Sequence, residues 1–301
     1  MMNSFIKTEN PPIILIGMHR SGTTMVASML QQLGLFIGED LDENSESMFF
    51  VNHNDWMFRQ CGGSWDNPNS IQWLYQNSEI MGLTDDYIKE RISSVTAISY
   101  IGLKRFILGI RPLSGMKGKV WGWKDPRNTF TLRFWLRLFP GAKVIHIYRN
   151  GVPVAASLRA RERRLLMMAM KRHHLRMLIG IYKLISKKSG FIWSNRCLTL
   201  EGGYTLWEEY VKAAMNSMSI VGDNGYSLKY EEFLSAPVKY LSDLVSFCGI
   251  EVSKERIKEI ASQVRPGRGE AHESDDELSR FGDSVRQRPL MIQLGYDGKV
   301  K

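Results

Sequence analysis

The stretch IILIGMHRSGTT, residues 13–24, decides the fold. Four consecutive branched aliphatic residues, Ile13 to Ile16, read as a buried strand, and Gly17 to Gly22 as a tight turn that opens a helix. A strand, a glycine-bounded turn and a helix in that order make a phosphate-binding loop, because the first N–H groups of the helix point at the ligand. The loop of nucleoside triphosphatases has the pattern G-x-x-x-x-G-K-[ST]. Gly17 and Gly22 keep that spacing, but Thr23 stands where the lysine would be. The cation lies inside the loop, at Arg20, where it would face the end group of a shorter 5′-diester rather than straddle a triphosphate.

A second strand end repeats the theme. Lys143 to Tyr148 is a short apolar run followed at once by Arg149, Asn150 and Gly151 and by a helix-compatible stretch through Ser157. If Gly151 opens that helix, Arg149, the Ser157 hydroxyl and the helix N-terminus can converge on one anion. Two anion sites at two strand ends imply a nucleotide phosphorylated at both ends.

Working outward, Met25, Leu30 and Leu33 give a helical face that stops near Gly34, and Gly38 to Asn54 reads as a polar stretch. An aromatic-rich region with Trp56, Trp65 and Trp73 follows. Thr84-Asp85-Asp86 reads as a helix start with its pattern running to about Gly109. Lys119 to Trp123 reads as a strand and Thr129 to Phe139 as a helix stopped by Pro140-Gly141. Short apolar strands alternating with helices predict an α/β fold, a P-loop-like doubly wound sheet of mainly parallel strands flanked by helices, with the ligand at the carboxyl ends of the strands.

Composition sets further bounds. The chain has 301 residues, 44% of them hydrophobic, with no repeat and no low-complexity tract, which fits one domain spanning 1–301. Cys61, Cys197 and Cys248 have no paired spacing, so neither a disulfide framework nor a zinc site is indicated, and no metal is expected. The Ile13 to Ile16 run is far shorter than the roughly 20 residues that span a bilayer, and no leader pattern precedes it.

At this point the residues resemble the sulfotransferase superfamily that uses 3′-phosphoadenosine 5′-phosphosulfate (PAPS). His19 to Thr24 is similar to its 5′-phosphosulfate loop, and Arg149 with Ser157 to its 3′-phosphate motif, including the spacing. The segment Trp121 to Arg127 resembles a family motif whose lysine, here Lys124, contacts the transferred sulfonate. Tyr226 to Leu234 resembles the late strand ending in Tyr-Glu, with a helix after Pro237. The resemblance implies PAPS as donor, bound by Arg20, Ser21, Gly22, Thr23, Thr24, Arg149, Ser157 and Tyr230, with Arg20 and Lys124 as the electrophilic pair. It also implies a base between the first helix and the aromatic region. Glu46, in Glu46-Ser47-Met48-Phe49-Phe50, is similar to the base of heparan sulfate sulfotransferases, a Glu shortly before a Phe-Phe pair. Gly38-Glu39-Asp40 is similar to the base segment of tyrosylprotein sulfotransferases, and Glu43 and His53 are further candidates. Arg265 and Arg268 are the residues comparable to a loop that closes over the 3′-phosphate. Since Golgi relatives carry a membrane anchor, a bacterial-type cytoplasmic enzyme is expected.

Residues 159–188 interrupt the resemblance. They hold ten Lys or Arg against one acid, Glu162, so their net charge equals the +9 of the whole chain. Leu165, Met168, Leu175, Leu178, Ile179, Tyr182 and Ile185 recur at helical spacing, which predicts a basic amphipathic helix or hairpin, an insertion at about 159–190. A solvated face is the plain reading; contact with an anionic acceptor or the inner face of a membrane is the functional one, with nucleic acid disfavoured. A mobile segment is expected at about 265–301.

The resulting expectation is transfer of a sulfonate from PAPS to an acceptor hydroxyl, on a carbohydrate or glycolipid, by in-line displacement with a carboxylate base. Two alternatives stay open: a P-loop nucleotide kinase, and a non-catalytic module that binds nucleotides or an anionic surface.

Overall fold

Four parallel strands, β1 (Ile13–Ile16), β2 (Gly122–Lys124), β3 (Lys143–Tyr148) and β4 (Gly225–Lys229), form one sheet in the order β2-β1-β3-β4. The computed structural model describes residues 10–108, 116, 118–183, 190–264 and 276–298. From β1 the chain crosses to β2 on one side and then returns to β3 on the other, so the strand order reverses between β1 and β3. Ligands of open parallel sheets bind at such a reversal, beyond the carboxyl ends of the strands.

The chain divides into two compact units, residues 1–149 with 209–268, and residues 150–208 with 269–301. In the first unit the sheet is covered on both faces, which is why β1 reads as an unbroken apolar run rather than an alternating one. One face is aliphatic. Ile13 and Leu15 pack with Val26 and Leu30 of α1 (Thr23–Gln32) and with Ile145 and Ile147 of β3. The other face is aromatic. Phe50 of α2 (Met48–Arg59) stacks on Trp123 with ring centroids 3.8 Å apart, and Trp135 meets Trp123 edge-on at 5.2 Å. Each aromatic pair adds about 0.5–1.5 kcal/mol beyond its burial.

Two helices depart from the sequence expectation. The supposed polar stretch Gly38 to Asn54 contains the first half of α2, whose Phe49, Phe50, His53, Met57 and Phe58 are buried at helical spacing. The helix expected from Thr84 is α3 (Ser78–Ser93), which starts earlier because the Asn77 side chain caps it, accepting from the Ile80 N–H at 2.9 Å. Thr84 and Asp85 sit inside it, and Asp85 is ion-paired with Arg137 of α4 (Asn128–Leu138).

The second unit is built on α5 (Gly151–Leu178), one continuous helix that includes most of the expected basic insertion. Its first turn lies under Trp207 of α6 (Leu200–Val221), and a Cβ at Gly151 would strike that indole. Arg159 of α5 is paired at 2.6 Å with Glu277 of α7 (Asp276–Val285), and Arg288 with Glu201 at 2.8 Å. Of the C-terminal segment, residues 276–298 are described and form α7 and the short helix Pro289–Gln293. The apolar recurrence from Met168 to Ile179 is not a buried face: Met168, Leu175, Leu178 and Ile179 are all exposed. No helix among the described residues is long and apolar enough to cross a membrane.

Candidate active site

The loop after β1 is fixed from three directions. The Gly17 N–H donates to Thr129 Oγ1 of α4 at 3.1 Å, and the Ser21 N–H donates to the Met18 carbonyl at 3.2 Å. Gly22, at φ 90°, presses on the ring of Tyr230, which a Cβ there would overlap. Tyr230 follows β4 directly, and the guanidinium of Arg149, at the end of β3, lies 5.0 Å above the same ring. One buried phenol ring therefore supports both the phosphate loop and the cation at the neighbouring strand end. Ser21 is fully buried and its hydroxyl has no hydrogen-bond partner among the described residues, which fits a loop shaped around an anion. Arg20 is exposed and holds a left-handed backbone at φ 70°, a conformation that costs a non-glycine residue roughly 1–3 kcal/mol and clusters at ligand sites.

The end of β2 carries the second half of the site. Lys124, 2% exposed, places Nζ 2.7 Å from Glu46 Oε1, 3.2 Å from the Asn44 carbonyl and 3.4 Å from Thr24 Oγ1 in the first turn of α1. Glu46 is 5% exposed, and its other oxygen is 3.7 Å from Arg127 Nη1. A tight local scaffold presents it. Asp42 Oδ1 accepts from the N–H groups of Asn44 and Glu46, both at 2.8 Å, and Ser45 takes φ 59° to close the turn. Burial raises the proton affinity of Glu46 above that of an ordinary carboxylate, while Lys124 opposes the shift.

Behind this pair lies a buried polar network that the sequence reading did not find. Asp125, fully buried, accepts from Asn54 Nδ2 at 2.7 Å and from Arg127 Nη1 at 3.0 Å. The Asn54 amide also donates to Asn128 Oδ1 at 2.8 Å, and its carbonyl oxygen accepts from Thr131 Oγ1 and Trp135 Nε1, both at 2.8 Å. Both donors and both oxygen lone pairs of that side chain are taken up by protein groups, which fixes Asp125 and through it Arg127. The acidic residue and arginine of the Lys124-Asp125-Pro126-Arg127 run were the available signal, since a buried Asp beside an Arg needs partners.

The other candidates fall elsewhere. Glu39, Asp40 and Glu43 are exposed, and Glu39 is ion-paired with Arg105. His53 is buried in α2 and its Nδ1 is 2.5 Å from the Phe49 carbonyl; burial lowers its proton affinity. Of the five carboxylates between Glu39 and Glu46, Glu46 is the one buried against a cation. Ser157 is half-buried on the second turn of α5, in the second unit. Arg265, Arg268, Lys187 and Lys188 lie outside the described residues. Among the described residues no group of three or more His, Cys, Asp or Glu is arranged to hold a metal ion.

The strand-loop-helix turn and the buried carboxylate–lysine pair stand together at the carboxyl end of the sheet. The model of the Sulfotransferase family matches residues 11–168, which takes in the loop, Glu46, Lys124 and Arg149, and the chain belongs to that family. No curated protein matches the chain. Among solved structures, the sulfotransferase domain of a Synechococcus olefin synthase is 17% identical with a TM-score of 0.46, covering 91% of this chain and 84% of that one. A sulfotransferase from Alicyclobacillus acidocaldarius is 13% identical with a TM-score of 0.46, covering 97% of each chain. A mouse sulfotransferase complexed with PAP is 13% identical with a TM-score of 0.45, covering 98% of this chain and 90% of that one.

Proposed function

We propose that this sulfotransferase moves a sulfonate from PAPS to a hydroxyl of a carbohydrate or glycolipid, with Glu46 as the base. The observation that carries the reading is the buried Glu46–Lys124 pair at the edge of the phosphate loop, where Lys124 reaches Thr24. In the transfer, the acceptor oxygen bonds to sulfur as the bond from sulfur to the 5′-phosphate oxygen breaks. The acceptor proton passes to Glu46, and 3′,5′-bisphosphoadenosine (PAP) leaves with the electron pair of the broken bond. A carboxylate whose proton affinity is raised by burial is a better acceptor for that proton near neutrality. Lys124 and Arg20 stabilise charge on the leaving oxygen, and the N-terminus of α1 with Ser21 and Thr24 holds the 5′-phosphate. Arg149, at the end of β3, is assigned to the 3′-phosphate.

The carbohydrate acceptor draws support from Trp65. Its half-exposed ring meets His19 of the loop edge-on at 5.0 Å, and its carbonyl accepts from the Tyr210 hydroxyl at 2.8 Å. The charges of Arg127, Asp125, Asp66 and Glu46 all act on that hydroxyl. A partly exposed indole beside the loop suits the C–H face of a sugar ring.

Calorimetric titration with PAP, with 5′-AMP and with ATP plus magnesium tests the donor, on the parent and on Arg149→Ala. Binding that requires the 3′-phosphate and collapses in the variant is expected. Preference for ATP with magnesium would overturn the reading in favour of a kinase. Transfer of labelled sulfonate from PAPS to a panel of glycans and glycolipids then tests the acceptor, and label found only on phenols would overturn that part.

A further inference from the structure

We propose that the C-terminal half of α5, with the Phe191–Trp193 segment held against it, is a docking surface for an anionic lipid bilayer. This inference concerns the second unit alone and does not depend on sulfonate transfer.

Residues 163–179 contain five cations, Arg163, Arg164, Lys171, Arg172 and Arg176, and no acid. All five are exposed. The single acid of the wider segment, Glu162, is fully buried and occupied internally. It pairs with Arg161 at 2.8 Å and accepts from the N–H groups of Trp193 at 2.9 Å and Ser194 at 3.2 Å. The surface is therefore left uniformly positive. The same clamp sets the adjoining segment in place, since the Arg161 guanidinium lies 4.7 Å over the Trp193 ring. Phe191 contacts His173 of α5 with ring centroids 5.8 Å apart.

Charge is half of the pattern. Met167, Met170, Leu175, Met177, Leu178 and Ile179 are exposed along the same helix, Leu178 to 85% of its surface, and Trp193 is 56% exposed. A concentration of long apolar side chains on one helical stretch marks an interaction site rather than ordinary surface. Apolar and basic residues are intermixed around the helix. That mixture suits a bilayer interface, where Arg and Lys extend their stems to reach phosphates while neighbouring apolar groups sink below them, and where Trp is favoured. A second copy of this chain would bring the same positive charge to the contact. A polyanionic polymer such as nucleic acid would satisfy the cations and leave the Met, Leu and Ile side chains in water. An anionic bilayer complements both sets.

The test is co-sedimentation of the full chain with vesicles of about three parts phosphatidylcholine to one part phosphatidylglycerol, against phosphatidylcholine alone, over a salt series. Binding to the anionic vesicles that weakens as salt rises is expected. Lys171→Glu/Arg172→Glu/Arg176→Glu should lose about a hundredfold or more in partitioning. Leu175→Ser/Leu178→Ser should lose at least about tenfold. These positions are exposed, so an unchanged thermal midpoint confirms that the variants fold. Equal binding to both vesicle types, no binding to either, or parent-like binding by either variant overturns the proposal. So does retention on heparin without vesicle binding, which would point to a polyanionic polymer instead.

Discussion

Glu46 Oε1 and Lys124 Nζ, from residues 78 apart in sequence, lie 2.7 Å apart inside the protein. The lysine works against the effect of burial on the carboxylate, and the carboxylate holds the lysine beside the loop. Glu46→Gln keeps the shape and removes the proton acceptor. It should lower sulfonate transfer about 10²–10⁴-fold while PAP affinity, read by calorimetry, stays within a few-fold of the parent. Equal turnover in the variant would remove Glu46 from the mechanism. Because its proton affinity is raised, the acid limb of the kcat/KM profile should fall at a higher pH than an ordinary glutamate gives.

Lys124→Met removes the cation and leaves Glu46 buried without its main partner. Breaking a buried pair in this way costs about 3–5 kcal/mol, so the thermal midpoint should fall. With Lys124 gone, the proton affinity of Glu46 in the folded protein rises further above its unfolded value. Folding then takes up a proton, and the variant should regain stability as pH is lowered. Adding Glu46→Gln should recover much of the loss at neutral pH; a double variant as unstable as Lys124→Met alone would show that the pair is not the cause.

Asn54→Ala should be costly at a distance. The substitution strips hydrogen bonds from Asp125, Asn128, Thr131 and Trp135 at once. With about 1–3 kcal/mol for each buried group left unsatisfied, a large drop in the unfolding midpoint is expected. Turnover should fall at temperatures where the protein is still folded, since Asp125 orients Arg127 beside Glu46. Full activity in the folded variant would confine the network to stability.

Gly22→Ala and Tyr230→Phe separate the two roles open to Tyr230. The alanine methyl must displace the Tyr230 ring and adopt φ 90°, so PAP binding should weaken at least tenfold. Tyr230→Phe retains the ring under Gly22 and Arg149 and should bind PAP like the parent. A large loss in Tyr230→Phe would instead assign the hydroxyl to the nucleotide.

His146, in the middle of β3, is 2% exposed, and its Nε2 has no partner among the described residues. Burial depresses its pKa to about 4, so between that value and the ordinary imidazole pKa the unfolded chain binds the extra proton. Stability should therefore decline as pH falls from about 6.5 toward 4, by roughly 2–3 kcal/mol in all. His146→Leu should flatten that part of the pH–midpoint curve, and an unchanged slope would assign the acid sensitivity to other groups.

The strands were the most legible part of the sequence. Lys143 to Tyr148 is a six-residue apolar run bounded by Pro140-Gly141 and Arg149-Asn150, and β3 has those limits. The loop and Lys124 were legible for a related reason, since each follows a short strand directly. α2 was hidden because Asn52, Asn54 and Asp55 make its sequence look polar, although Phe49, Phe50, His53, Met57 and Phe58 keep one buried face. The start of α3 is misread because Thr84-Asp85-Asp86 imitates a cap, while the capping side chain is Asn77 and Asp85 serves an ion pair with Arg137. The Asn54 network had no local signature. Its partners lie 71 to 81 residues away, and only the folded chain brings them together.

The ring of Tyr230 touches Gly22 and also carries Arg149. Loop and strand end are consequently not exchangeable parts. A chimera that imports residues 13–24 from a relative inherits a loop moulded to that relative's own late-strand residue, and recombination between the two halves should succeed only when both are transplanted together. For anyone re-engineering donor preference in this chain, the smallest portable unit is discontinuous: the first turn, the end of β3 and the residue after β4.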